Sequence, residues 1–391
     1  MQQILTYIFL IIYSVTILGI ILVVITDNRN PLKTLPWIIV LVLAPVVGLI
    51  FYFFFGQNLS KQRIISRRTR KRITMQLEEA EHTDGPDLPE AYRPLAALLT
   101  NTSHSIPLYG SRITTYTDGR SKMEALLTEI ACAKHHIHIQ YYILNDDETG
   151  RRLRDALIAK AREGVEVRIL YDDVGSSGAK KSFFRSMRSE GIEVYAFLHV
   201  KFPLFTSKVN YRNHRKIAVI DGRTGFVGGI NIAERYLDGD ALGRWRDEHL
   251  RIEGEAVDDL QRLFAADWAL EGGEPLSEGL YAAAPADDLP CSPLQIAWTR
   301  EDRSRTTLTD LFAQLIEEAR HTLRISSPYF LPPPALYEAL LRAVRRGCRV
   351  LVMLPARSDV WLARRATDAY LGELLGAGVE ICLLYTSDAA D

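Results

Sequence analysis

Two side chains suited to phosphate chemistry stand two positions apart in the stretch Asn213-His214-Arg215-Lys216-Ile217-Ala218-Val219-Ile220-Asp221. Gly222 and the run Phe226-Val227-Gly228-Gly229-Ile230-Asn231 follow it. Ile217 to Ile220 is a short apolar run ending in an Asp-Gly turn signal, so it reads as a strand entering a hairpin. Side chains alternate faces along a strand, which puts His214 and Lys216 on one side and Arg215 on the other. Gly228, Gly229 and Asn231 arrive on the returning strand, where glycines let a ligand approach the backbone closely. An imidazole beside a fixed ammonium suits attack on a phosphodiester. The ring becomes a covalent nucleophile, while the ammonium and the amide stabilise charge on the phosphoryl oxygens. An isolated His-x-Lys is also what a solvated strand edge looks like, and Asn231 with Glu234 three residues on fits a reciprocal helix cap.

The whole spacing narrows the choice: His214, one residue, Lys216, four residues, Asp221, six residues, Gly228-Gly229, one residue, Asn231. This pattern resembles the His-Lys-Asp motif of the phospholipase D superfamily. The resemblance implies catalytic roles for His214, Lys216 and Asp221, the last as the motif aspartate. It also implies phosphate contacts from Lys216, Gly229 and Asn231.

These residues need a scaffold. Met123 to Ala133 has helical apolar spacing, and His136 to Leu144 reads as a buried strand. Gly150 to Gly164 is a second helix, Val165 to Tyr171 a strand, Lys180 to Gly191 a third helix and Ile192 to Phe197 another strand. Strands alternating with helices imply a parallel or mixed sheet covered on both faces. After the motif, Trp245 to Ile252 starts polar and ends as a strand, taking Arg246 and His249 either to the phosphate pocket or into surface salt bridges. Ala256 to Trp268 is a further helix. His136 and His138 share a strand face, and an exposed pair of that kind could bind metal. Nothing nearby completes a ligand set, and Lys216 or Arg215 opposes a cation, so no metal is expected. Asp172-Asp173 fit solvated turn formers as well as general bases, and they stay unassigned.

A second unit repeats the first. Ala319-Arg320-His321-Thr322-Leu323-Arg324-Ile325 parallels Ala133 to Ile139, Arg346-Gly347-Cys348-Arg349-Val350 parallels Glu163 to Val167, and Gly378-Val379-Glu380-Ile381 parallels Gly191 to Val194. His214 lies 23 residues after Gly191, so its counterpart falls at about position 401, and no second full motif occurs in the 391 residues. The last ten residues, Cys382 to Asp391, match the translation of a sequencing adapter. Either the native sequence is cut at about Ile381, or a strand continues Ile381 into a polar tail.

The other end carries a different signal. Ile4 to Ile25 and Leu35 to Phe55 contain no charge, and each is long enough as a helix to span a membrane. Trp37 and Tyr52 fall near the two ends of the second run, where amphipathic rings favour the interface. Lys61, Arg63, Arg67, Arg68, Arg70, Lys71 and Arg72 follow, against Arg29 and Lys33 in the short loop, which places residues 61 onward in the cytoplasm. That cluster also attracts anionic headgroups. The expected organisation is a transmembrane hairpin over 1–58, a basic linker over 59–106, a first unit over 107–272, a second linker over 273–295 and an incomplete second unit over 296–381. A net charge of −1 gives no support to nucleic-acid binding through a globally basic surface. Four cysteines without metal spacing or disulfide density point to a reducing compartment.

A two-span hairpin ending Phe53-Phe54-Phe55-Gly56-Gln57-Asn58, a basic linker and duplicated phospholipase D units resemble the bacterial cardiolipin synthase family. The fold this implies is an α/β sandwich of mixed β-sheets flanked by helices, with two halves meeting at a shared active site. The reaction it implies joins two phosphatidylglycerol molecules into cardiolipin and glycerol through a phosphohistidine, with no cofactor and no metal. The partners it implies are phosphatidylglycerol and anionic lipids of the bacterial inner membrane. A membrane-bound phosphodiesterase and a non-catalytic membrane scaffold are the competing classes. A chain with His214 alone lacks its acid–base partner and is expected to be inactive by itself.

Overall fold

The computed structural model describes residues 88–103, 105–199, 212–274, 276, 292–299 and 307–384, together with parts of 3–52. Most of the two expected membrane runs, and 59–87 of the basic linker, lie outside the described residues. Helix α1 (Pro31–Leu43) begins inside the segment expected as a polar break, with proline in its first turn, where its missing N–H costs nothing. Trp37 and Tyr52, expected at opposite ends of one span, instead meet edge to face at 5.5 Å. A straight helix would hold them about 22 Å apart, so the chain turns back after Leu43. Among the described residues no helix is long and apolar enough to cross a membrane.

The first unit is built on α2 (Arg93–Ser103), β1 (Leu108–Tyr116), α3 (Gly119–Cys132), β2 (His136–Tyr141), α4 (Glu148–Arg162), β3 (Glu166–Asp172), α5 (Lys181–Arg188) and β4 (Glu193–Phe197). It continues with β5 (Lys216–Ile220), β6 (Thr224–Gly228), the short α6 (Arg235–Asp238), β7 (His249–Gly254), α7 (Ala256–Leu270) and β8 (Ser292–Leu294). Eight strands form one sheet in the order β4-β3-β2-β5-β6-β7-β1-β8. β2, β3 and β4 run parallel. β5 enters antiparallel to β2, and the sheet stays antiparallel beyond it. The expected mixed sheet with helices on both faces is therefore present. One face packs Ile137, Ile139, Ala218, Ile220 and Phe226 against α3, α4 and α5. The other packs Ile217, Val219 and Ile252 against Val257, Leu260 and Leu263 of α7.

The hairpin is tight because Asp221 and Gly222 both take positive φ, 54° and 64°. Those are the values a type I′ turn demands, and they match the twist of the flanking strands. Two elements were not apparent from periodicity. β1 pairs with β7, and β8 forms the far edge on β1. β8 corrects the expected organisation: 273–295 was read as a linker, yet Ser292 to Leu294 belong to the first sheet, and Ile296 and Trp298 pack on its core. The Gly/Pro/Ala-rich composition marks the excursion and hides the strand that returns from it.

The second unit comprises α8 (Thr307–Glu318), β9 (Thr322–Ser326), α9 (Pro334–Arg345), β10 (Arg349–Pro355), α10 (Trp361–Ala377) and β11 (Glu380–Leu384). Its three parallel strands, in the order β11-β10-β9, reproduce the β4-β3-β2 half of the first sheet. The registers coincide under the sequence alignment. His136 faces Glu166 as Thr322 faces Arg349, and Arg168 faces Glu193 as Leu351 faces Glu380. Cys382 to Leu384, expected as the start of a foreign tail, pair with Met353, Leu354 and Pro355. They continue β11 beyond Ile381; residues 385–391 lie outside the described ones.

Candidate active site

β5 starts where β2 and β3 end, so the segment leading into it collects the carboxyl ends of the parallel strands. His214 and Lys216 meet there as the alternation requires: Lys216 Nζ lies 2.9 Å from His214 Nδ1 and donates to the His214 carbonyl oxygen at 2.6 Å. Tyr142, one residue past β2, lays its ring 4.3 Å from the imidazole and 5.3 Å from the ammonium. The phenol ring fixes the imidazole plane and favours the cation. Burial, followed by the neighbouring Lys216, lowers the His214 pKa to about 4. Burial also lowers Lys216 to about 8, against the pull of Asp247 and Asp172. At neutral pH the imidazole is therefore neutral and the lysine mostly charged.

Two buried carboxylates hold the residues on either side of His214, Asp172 through backbone N–H and Asp267 through side chains. Asp172 accepts from the Asn213 N–H at 3.0 Å, from Val174 and Gly175 N–H at 3.0 and 2.9 Å, and from Arg212 at 3.4 Å. Asp267, on α7, accepts from Gln140 at 2.6 Å, from Asn213 Nδ2 at 2.8 Å and from the Arg215 guanidinium. Arg215 also donates to the Thr299 carbonyl at 2.9 Å. Asn213 and Arg215 are thus tied to the same carboxylate, with His214 between them. Asp172, left unassigned from sequence, is a clamp here and not a solvated turn former. Asp267 carried no sequence signal, because its partners are 52 or more residues away.

The other expected site residues separate. Asp221 sits at the far end of β5, about 16 Å of strand from Lys216. Its carboxylate accepts the N–H groups of Lys134, His135 and His136 at 2.8, 2.8 and 3.0 Å. Burial pushes its pKa up, and these three donors outweigh it to hold the carboxyl below its usual range. Its expected catalytic role gives way to a structural one: it staples the loop before β2. Asp221→Ala is expected to cost about 2–3 kcal/mol in thermal unfolding while turnover per folded molecule stays within about twofold. A large kcat loss without loss of stability would overturn that assignment.

Asn231 is buried, and its amide is engaged on both sides, accepting from Ile143 N–H at 3.0 Å and donating to the Tyr236 hydroxyl at 2.6 Å. It caps no helix; the Glu234 N–H goes to Asp147 instead. The two glycines make room for neighbouring protein groups. A Cβ on Gly229 would fall 2.0 Å from the Asp247 carboxylate, and one on Gly228 would fall 2.7 Å from His249 Nδ1. Arg246 is exposed. His136 and His138 are buried, as the buried-strand reading of His136 to Leu144 has it, and lie around Gln261, with His138 stacked on Phe264.

Beneath Lys216 lies an uncompensated cation. The ladder sets Tyr141 opposite Lys216 and Gly228 opposite His249, on the face covered by α3. Lys122 of α3 is fully buried and donates to Tyr141 Oη at 2.8 Å. Burial lowers its pKa to about 7 and, with Lys122 and Lys216 nearby, holds His249 well below the usual histidine range. Neither His249 ring nitrogen has a partner among the described residues. The unfolded chain holds the Lys122 proton up to about 10.5 and the folded chain only to about 7. Stability from this group therefore rises with pH across that window and is lost as pH falls through it. Lys122→Met is expected to raise stability at pH 7 by about 2 kcal/mol and to flatten that rise. Urea midpoints at pH 7 and 9 check it.

A cavity of about 450 Å³ is lined by residues 212–217 and by residues of β6, α7 and 296–299, and its α7 wall lies on the sheet face opposite to that of Tyr141 and Lys216. The family model described as "Cardiolipin synthase, PLD-like domain" matches residues 126–268 and 312–389. The chain belongs to that family. A second model, described as "Phospholipase_D-nuclease N-terminal", matches residues 11–57. The cardiolipin synthase of Alkalihalophilus pseudofirmus is 37% identical over 95% of this chain and 75% of its own length. The major cardiolipin synthase of Bacillus subtilis is 35% identical over 94% of this chain and 79% of its own. In fold, the chain is similar to a phosphatidylserine synthase of Haemophilus influenzae, with a TM-score of 0.50 and 15% identity over 73% of this chain and 72% of that one.

Proposed function

We propose that the protein transfers a phosphatidyl group between two phosphatidylglycerol molecules, giving cardiolipin and glycerol, with His214 as the nucleophile. The observation that carries this is the His214–Lys216 pair, neutral ring and charged amine 2.9 Å apart where the parallel strands end. Membership of the cardiolipin synthase family supplies the substrate class.

The tautomer sets the order of events. With a Lys216 N–H donating to Nδ1, the neutral ring carries its proton on Nε2. Turning that N–H onto a phosphoryl oxygen frees Nδ1 to hold the proton and leaves the lone pair on Nε2. Nε2 then bonds to phosphorus as the bond to the glycerol oxygen breaks, and that oxygen takes its proton from the second histidine that the resemblance implies. The hydroxyl of a second phosphatidylglycerol attacks the phosphohistidine, gives up its proton and restores His214. The phosphoester energy is kept in the intermediate, so the exchange calls for no nucleotide. His214 and Lys216 supply the nucleophilic half; the resemblance gives the acid–base half to a second histidine, and the 391 residues hold no second full motif. The two uncharged N-terminal runs embed the protein in the bacterial inner membrane, with the catalytic units on the cytoplasmic side.

The test is product analysis with labelled phosphatidylglycerol vesicles. Cardiolipin with equimolar glycerol is the expected outcome. Phosphatidate alone would mean that water is the acceptor, and headgroup binding without any product would mean a scaffold.

A further inference from the structure

The two arginines that flank the His214 segment have carboxylate partners, Arg212 on Asp172 and Arg215 on Asp267. A third, Arg235 on α6, has no carboxylate within ion-pair distance among the described residues. Its guanidinium lies 5.7 Å from the Tyr236 ring and 5.1 Å from the Trp245 ring. Arg235 Nε and Trp245 Nε1 are both buried N–H donors with no acceptor among the described residues. Two such donors beside one positive charge make a place for an oxyanion.

That place adjoins the nucleophile. Tyr142 and Trp245 pack on one cluster of Ile143, Ile230, Ala233 and Tyr236. The Tyr142 ring lies 4.3 Å from the His214 ring and 5.3 Å from the Lys216 amine, and Arg235 is near enough to act on the Tyr142 hydroxyl. Asp247, two residues past Trp245, is near enough to act on both Lys216 and Tyr236. Lys216 and Arg235 are therefore two cations on one shelf at the strand ends, with Tyr142 beside both. The second unit borders the same shelf: Tyr329 donates to Asp359 at 2.6 Å and lies near enough to Arg235 and Tyr236 to feel both.

We propose that Arg235, with Trp245 Nε1, binds the phosphate of the acceptor phosphatidylglycerol, while Lys216 holds the phosphate that His214 attacks. The proposal rests on the transfer reading, and it names what selects the second substrate. Stoichiometry decides the ligand. The product carries two phosphodiester anions joined through one glycerol, so forming it brings a second anion within a few atoms of the first. A fixed cation there offsets their repulsion. Aromatic faces beside the guanidinium hold its planar fork ready for two phosphate oxygens. An acceptor alcohol without a phosphate gains nothing from Arg235.

That difference supplies the test. The protein in mixed micelles with phosphatidylglycerol is assayed for two reactions that share the phosphohistidine. One is cardiolipin formation; the other is incorporation of labelled free glycerol into phosphatidylglycerol. Arg235→Gln is expected to lower cardiolipin formation about tenfold or more while glycerol incorporation stays within about twofold. Arg235→Lys, which keeps the charge and loses the fork, should fall between. Should Arg235→Gln fail to fold, Arg235→Lys and Trp245→Phe carry the same comparison. Equal losses in the two reactions, or no loss in either, overturn the acceptor site. Failure of the transfer reading would show separately, as absence of both products from the unmodified protein. Equilibrium binding of short-chain phosphatidylglycerol in a Lys216→Met background then decides: Arg235→Gln is expected to weaken it about tenfold, and unchanged binding overturns the site.

Discussion

Replacing His214 by alanine is expected to lower phosphatidyl transfer by about 10⁴-fold or more, the scale on which removal of a covalent nucleophile acts. The loss should fall on kcat, since Lys216 remains to hold the phosphate, and membrane insertion should be unaffected. The pH dependence of kcat/KM belongs to the same prediction. The His214 pKa of about 4 means that the ring is neutral above that value, so the rate rises through about pH 4 and then levels off. Lys216, lowered to about 8, loses its charge above that value, so the rate falls there. Lys216→Met should remove the alkaline limb along with most of the rate. Transfer by the His214→Ala protein at the unmodified rate would sink the assignment.

Asp267→Ala is the second large effect. This carboxylate accepts from Gln140, Asn213 and Arg215 at once. Its removal leaves the guanidinium without a counter-charge and two amide groups short of an acceptor in a mostly buried setting, at an expected cost of about 3 kcal/mol in thermal unfolding. His214 lies between two of those partners, so kcat should fall about a hundredfold from misplacement on the order of 1 Å, with KM changing little. Asp267→Asn, which keeps an acceptor, should recover part of kcat. Equal losses in the alanine and asparagine variants, tracking stability alone, would show that Asp267 holds the fold and does not orient the ring.

How much of this was legible in sequence follows from the range of each interaction. The alternation that pairs His214 with Lys216 is local, and so is the Asp-Gly turn; both were readable from a few residues and both are present. The repeat was readable because it recurs with its glycines and strands intact, and the matching registers of β2–β3 and β9–β10 follow from it. Asp172 and Asp267 were not readable as clamps, since Asn213 lies 41 residues after the first and Arg215 lies 52 before the second, and such distances leave no local pattern. The two glycines misled for a related reason. A missing Cβ announces a close approach without saying by what, and the groups that approach are Asp247 and His249. β8 was hidden because three residues are too few to show a period.

The placement of Asp221 and His214 at opposite ends of one strand separates two quantities that a motif presents as one. A survey that scores cellular protein levels should rank Asp221 and Asp267 high and give His214 little weight, because loss of the first two populates unfolded chains that are degraded. A survey that scores membrane lipid composition in surviving protein should rank His214 and Lys216 first. Within this motif, the aspartate determines how many molecules exist and the histidine determines what each of them does.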